Sequence, residues 1–197
     1  MDNNNISGVI NEDDELEAKK PWQRECLDWI LSIAIAVALA LIIRNYVFSL
    51  VNVSGSSMNP TLSDGDKLYV NMFMYKPEVG DIVILRPPQN PKIYYVKRVI
   101  ATEGMTVNID PLTHDVSVDG KVLDEPYITG KTTEIGGAVA YPYTVKEGEV
   151  FVLGDNRTKG GSADSRSIGL IPEENIKGKA VFRLYPFSHI GSVYEKK

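Results

Sequence analysis

Two residues of this chain could cooperate in breaking a bond. One is a serine in SGSSMNPTL (54–62), where Ser57 stands directly before Met58, and the other is Lys97 in IYYVKRVIA (93–101). A serine hydroxyl is a weak nucleophile at neutral pH and needs a base within hydrogen-bond reach. The chain has two histidines, His114 and His189, and neither sits in a motif that would make it that base. They read as loop or surface residues. A lysine can serve only as the neutral amine, so its pKa must fall well below the usual value of about 10.4. Burial among apolar side chains achieves this by disfavouring the ammonium. Strand alternation puts Tyr95, Lys97 and Val99 on one face and Val96, Arg98 and Ile100 on the other. That suits a desolvated amine. The same pattern also suits a solvated lysine at a sheet edge, and the two readings stay open on pattern alone.

A third stretch, GDNRTKGGSADSRSIG (154–169), leaves the end of an apolar run. Asp155, Arg157, Asp164 and Arg166 can pair within it to fix a long loop, and Gly160 and Gly161 let its backbone bend.

These stretches need elements to position them. After residue 50 the chain reads as short strands rich in β-branched and aromatic residues: DKLYVNMF, GDIVILR, IYYVKRVIA, MTVNI, VSVDGKVL, EVFVLGD and GKAVFRLYPF. Asp119-Gly120 predicts a two-residue hairpin, and PEEN (172–175) a short helix. The fold class expected is mainly β, an antiparallel coiled-sheet catalytic domain behind one N-terminal transmembrane helix.

The expected helix centres on WILSIAIAVALALII (29–43). Fifteen residues rise only about 22 Å, so the span is drawn over 27–50, about 36 Å, enough for a hydrocarbon core. Arg44 would snorkel at the far interface, with Trp29 and Tyr46 as interfacial anchors. Lys19, Lys20 and Arg24 precede the span and Arg44 follows it, which places the N-terminus in the cytoplasm and the large domain outside. Residues 1–26 read as a disordered, acidic cytoplasmic tail, 27–50 as the anchor in the cell membrane, and 51–197 as the extracytoplasmic catalytic β domain. The first 28 residues hold eight acids and three bases, which is the whole of the formal net charge of -5. The remainder is neutral, without the basic face that nucleic-acid binding requires. The single cysteine, Cys26, excludes an intrachain disulfide and a thiolate zinc cluster, and no metal or cofactor is expected.

In this order, an anchor, Ser-Met-x-Pro-Thr-Leu, Gly-Asp-Ile-Val, Tyr-x-Lys-Arg and Gly-Asp-Asn-Arg…Ser-Ala-Asp-Ser-Arg, the chain resembles the bacterial type I signal peptidases, the serine–lysine leader peptidase family. The closing IGLIPEENIKGKAVFRLYPF adds to the likeness. The resemblance implies that Ser57 is the nucleophile and that its backbone N–H is one oxyanion donor. It implies that Lys97 is the general base and Ser162 the hydroxyl that orients the amine. Asp155, Asn156, Arg157, Asp164 and Arg166 would support the site, and Val53, Met58, Leu62, Leu68, Tyr95 and Val96 would line substrate pockets. The implied substrates are signal peptides of exported preproteins with small residues at -1 and -3, cut through an acyl-enzyme at a lipid surface near the translocation machinery.

Three positions depart from the family pattern. Gly55 stands where some members carry a second, side-chain oxyanion donor. Thr158, Lys159, Gly160 and Gly161 fill a gap that usually holds two residues. Ala101 stands where the family has glycine, a strained place for alanine if φ is positive there. Two other readings compete: a self-cleaving repressor-type serine–lysine protease, which would need a DNA- or partner-binding arm ahead of the domain, and an inactive membrane-anchored binding module.

Overall fold

The computed structural model describes residues 22–46, 48–130 and 134–194; of residues 23, 42–46 and 48 it describes the backbone alone. Most of the expected acidic tail, and the side chains of Arg44 and Tyr46, lie outside the described residues. The chain divides into two units, Met1–Ile42 and Ile43–Lys197.

Helix α1 runs from Trp22 to Tyr46, 25 residues in all. It starts earlier and stops sooner than the 27–50 drawn from hydropathy. Residues Phe48–Asn52 form strand β1 instead. The reason is long-range: β1 pairs antiparallel with β2 (Lys67–Asn71), from Phe48 opposite Asn71 to Asn52 opposite Lys67, and that ladder competes with continued helix. Among the described residues no helix is long and apolar enough to cross a membrane.

The β unit contains two antiparallel sheets. In the larger one the order is β1, β2, β11 (Ile176–Tyr185), β3 (Ile82–Leu85), β4 (Tyr95–Ala101), β9 (Glu149–Leu153) and β10 (Ile171–Pro172), with β12 (Gly191–Ser192) paired to β11. β11 pairs with both β2 and β3 and carries register shifts on each side, bulges that bend and curl the sheet. Gly178 in β11 is forced by packing, since a Cβ there would sit 2.2 Å from the Asn71 carbonyl oxygen.

The smaller sheet joins β7 (Lys121–Val122), β6 (Val116–Val118), β5 (Thr106–Ile109) and β8 (Tyr143–Thr144). The hairpin expected at Asp119-Gly120 is present between β6 and β7, with φ of 52° and 77° at its two central residues. Those positive values are what a type I′ turn demands. The short helix expected at PEEN is a 3₁₀ turn over Glu173–Asn175. A four-residue helix not anticipated from sequence, α2 (Ser165–Ile168), sits within the polar loop, capped by the Asp164 side chain.

Three apolar clusters fill the β unit. One packs Val53, Met58, Leu62, Leu68, Val70, Ile82 and Ile84 beneath the start of the domain. The second joins the smaller sheet to Ile100, Phe151 and Leu153, and the third lies about Val83, Leu85, Val99, Val150 and Val152. β4 therefore runs through the middle of the unit, and Lys97 through Ala101 are all buried.

A candidate serine–lysine site

Ser57 sits on a turn that the fold holds at both ends. Val53 donates to Asp66 O at 2.8 Å and Gly65 donates to Val53 O at 3.0 Å, closing the loop at its base. Asn59 donates to Ser56 O and Leu62 to Met58 O, at 3.1 and 2.9 Å, so the chain turns immediately after the serine. Met58 and Leu62 are the pegs, buried in the first cluster. Gly55, at φ 85°, donates its N–H to Asp64 Oδ1 at 2.7 Å, which leaves that amide engaged. Among the described residues the Ser57 N–H donates to no protein group.

Lys97 comes from β4, opposite Val83. Its Nζ lies 2.8 Å from Ser57 Oγ and 2.8 Å from Val96 O, and 5.0 Å from the centre of the Tyr95 ring. The residue is 2% exposed, so the solvated-edge reading of this lysine fails. Burial pushes its pKa down to about 8; the Asp164 and Asp155 carboxylates pull it back up in part, and the Arg166 guanidinium presses it further down.

The loop after β9 builds the frame, with pairings that differ from those expected. Asp155 does not pair with its neighbour Arg157. It takes two hydrogen bonds from Arg98 of β4, at 2.9 Å from Nε and 2.6 Å from Nη2, and one from Thr61 Oγ1 at 2.5 Å. Arg157 reaches Glu125 instead and also donates to Gly154 O at 2.8 Å. Only Asp164 and Arg166 pair within the loop, at 2.7 and 2.8 Å. Buried carboxylates take whichever donors the tertiary packing presents, and sequence adjacency does not decide among them. Burial pushes the Asp164 carboxyl up, but Arg166, the Gly154 N–H and the nearby Ser162 hydroxyl more than offset that and hold it low. Asn156 binds the serine turn directly: its N–H donates to Ser57 O and its Nδ2 to Ser56 O, both at 3.1 Å.

Ser162 lies against Gly154, where a Cβ would come within 2.3 Å of its Oγ. That Oγ is buried and completes no hydrogen bond of good geometry, although it is near enough to Asp164 to act on the carboxylate. The two extra residues of this four-residue stretch are absorbed by a tight turn: Gly161 donates to Thr158 O at 2.9 Å with Gly160 at φ 69°. Ala101 is an ordinary strand residue paired with Phe151, and φ is not positive there.

A cleft of about 280 Å³ opens beside Ser57 and Lys97. Val53, Met58, Tyr95 and Val96 line it as expected. Leu62 and Leu68 do not: both are fully buried in the first cluster, where they support the floor. Tyr94, Gly161 and Ala163 line the cleft and were not anticipated. Thr61, Arg98 and Glu125 were also missed as framework residues. An arginine beside a buried lysine signals a buried acid elsewhere, but nothing local points to Glu125. A larger cavity, about 490 Å³, lies apart from the pair and shares none of these lining residues.

A desolvated lysine amine within hydrogen-bond reach of a serine hydroxyl, beside an unoccupied backbone N–H, defines the class of serine–lysine hydrolases. The family model for signal peptidase, peptidase S26, matches residues 26–185, and the chain belongs to that family of serine endopeptidases. It is 40% identical over 190 residues to signal peptidase I T of Bacillus subtilis, covering 91% of this chain and 95% of that one. It is 37% identical over 183 residues to signal peptidase IB of Staphylococcus aureus, covering 84% and 93%. A crystal structure of a signal peptidase I from Enterococcus faecalis is 28% identical, with a TM-score of 0.45, covering 54% of this chain and 98% of that one.

Proposed function

We propose that the chain removes signal peptides from exported preproteins through a Ser57–Lys97 dyad and an acyl-enzyme. The single observation that carries this reading is the 2.8 Å contact between Lys97 Nζ and Ser57 Oγ with the lysine buried. The neutral amine takes the Ser57 proton as Oγ attacks the scissile carbonyl. The Ser57 N–H donates to the oxyanion. The resulting ammonium protonates the leaving amine, and water, activated by the amine in turn, releases the acyl group. Ser162 is the hydroxyl that orients the amine, while Asp155, Asn156, Arg157, Asp164 and Arg166 hold the turn and the loop in register. Val53, Met58, Tyr95 and Val96 admit only small side chains at -1 and -3.

The anchor belongs to the same proposal. Trp29–Ile43 is apolar, and the anchor is proposed on that run of sequence alone, since among the described residues no helix is long and apolar enough to cross a membrane. The basic residues before it place the tail in the cytoplasm and the β unit outside the cell membrane, near the translocation machinery.

The test is cleavage of a preprotein with an Ala-x-Ala site by the detergent-solubilised chain over pH 6 to 10, beside Lys97→Ala. Cleavage that rises through pH 8 and vanishes in the variant supports the dyad. Undiminished cleavage by the variant removes it. No cleavage by the folded wild type favours an inactive binding module.

A further inference from the structure

Residues 134–141 belong to no strand or helix, and among the described residues no hydrogen bond joins them to Ser57 or Lys97. One side of the segment is fastened in the second apolar cluster. Val139 is buried there, Ile135 and Tyr141 pack against it, and the Tyr141 ring meets Phe151 edge-on with centroids 6.1 Å apart. The other side lies on α2. The Ala138 N–H donates to Arg166 O at 3.1 Å. The buried Tyr141 hydroxyl completes no hydrogen bond and is near enough to Arg166 and Asp164 to feel both charges. Glu134 pairs with Lys159 of the 158–161 turn at 3.3 Å.

The two adjacent glycines of this segment are not equivalent. Gly136 stands at φ 74°, and a Cβ there would come within 2.0 Å of Arg166 O and 2.8 Å of Arg166 Cβ. A Cβ on Gly137 would meet nothing within 4 Å. The obstacle at 136 is backbone, which cannot swing aside as a side-chain tip can, so any side chain there must push Arg166 back. Arg166 holds Asp164 through two bonds, while Asp164 also accepts from the Gly154 N–H at 3.0 Å. Pushing Arg166 back therefore draws the guanidinium off a carboxylate that stays in place. The charges that face Lys97 are Asp164 and Asp155 of the loop and Arg166 of α2, with the Tyr95 ring beside it on β4.

We propose that residues 134–141 are a positioning strap for the general base, with Gly136 as its point of contact: fastened to the second cluster, the strap seats Arg166 from outside and keeps the Asp164–Arg166 pair beside Lys97. Gly136 is a positioning residue and touches no reacting group. The effect on cleavage rests on the serine–lysine reading of the site; the effect on the amine does not. When Arg166 recedes, Lys97 loses a cation that disfavours its ammonium and keeps the two carboxylates that favour it, so its titration moves upward.

The test is NMR titration of the full chain, carbon-13-labelled at lysine, in a non-ionic detergent, with the Lys97 signal assigned by its loss in Lys97→Ala. The wild-type midpoint is expected at about 8, unchanged in Gly137→Ala and higher in Gly136→Ala. Preprotein cleavage at pH 7 should fall on the order of tenfold in kcat for Gly136→Ala, with KM near the wild-type value, and stay at the wild-type level for Gly137→Ala. Ala138 is exposed and lies outside any strand, so Ala138→Pro deletes the bond to Arg166 O without touching the core. It should move the midpoint the same way by less, and it serves where Gly136→Ala does not fold. The proposal is overturned if the folded variants titrate as the wild type does, if the midpoint moves downward, or if Gly137→Ala has the effect of Gly136→Ala. A wild type that cleaves nothing while the midpoints move as stated would sink the peptidase reading and leave the strap standing.

Discussion

Gly154 and Ser162 touch so closely that no other residue fits at 154. A Cβ there would stand 2.3 Å from Ser162 Oγ and 2.4 Å from the Ser57 carbonyl oxygen. The glycine brings the loop after β9 onto the serine turn. Gly154→Ala must push both serines away from Lys97. Misplacing a reacting group by about 1 Å costs on the order of 100-fold in rate. We expect kcat/KM for a preprotein to fall by about that factor while KM changes little, measured beside the thermal midpoint of the same sample.

The dyad sets the pH dependence. With the Lys97 pKa lowered to about 8, the neutral amine is the minor form at pH 7 and the major form at pH 9. Cleavage should therefore rise about tenfold per pH unit below 8 and level off above it. Asp164→Asn removes a carboxylate that raises the lysine pKa and leaves Arg166, which lowers it. The profile of that variant should move to lower pH, although Arg166 loses its partner and stability falls. A profile moving the other way would show that Asp164 does not act on the amine through its charge.

The same lysine weakens the fold. Its folded pKa, about 8, lies below the ordinary 10.5, so the unfolded chain binds more protons between those values. Wild-type stability should then rise with pH across that window, and the penalty for burying the charge is complete below it. Lys97→Met removes the titrating group. It should be more stable than wild type by up to ~3 kcal/mol at pH 7, the advantage shrinking towards pH 10.5. Urea unfolding at both pH values checks it; an advantage independent of pH would place its origin in packing.

Arg98 and Asp155 are almost fully buried and bonded through two contacts. Breaking one partner leaves an uncompensated charge, a loss of about 3–5 kcal/mol. Arg98→Met and Asp155→Leu should each destabilise by that order, and the double variant by much less than the sum. Additive losses in a double-mutant cycle would mean the two residues act independently.

Much of the β unit was legible locally. The strands through IVIL, YVKRVIA and EVFVL appear where β-branched runs end in Gly, Pro or Asp, and the Asp119-Gly120 hairpin forms because both residues tolerate positive φ. The misreadings have a common cause. Phe48–Asn52 continues an apolar helix in sequence, yet its ladder partner lies in β2, which no local pattern reveals. Leu62 and Leu68, which the resemblance matched to pocket positions, lie fully buried in the first cluster; apolar residues of a pocket floor and of a core are not told apart along the chain.

The sequence by itself determined the chemistry available: one serine in a small-residue turn, one lysine among apolar neighbours, and a polar loop ending in Ser-Ala-Asp-Ser-Arg. Residue type, turn chemistry and strand period are local properties, and those can be read along a chain. Only the tertiary structure decided which groups meet. It carried Ser57 to 2.8 Å from a lysine 40 residues away, gave Asp155 to Arg98 and Thr61, and joined Arg157 to Glu125. Those partners are chosen by sheet order and burial, because a buried charge must find an opposite one wherever the packed strands present it.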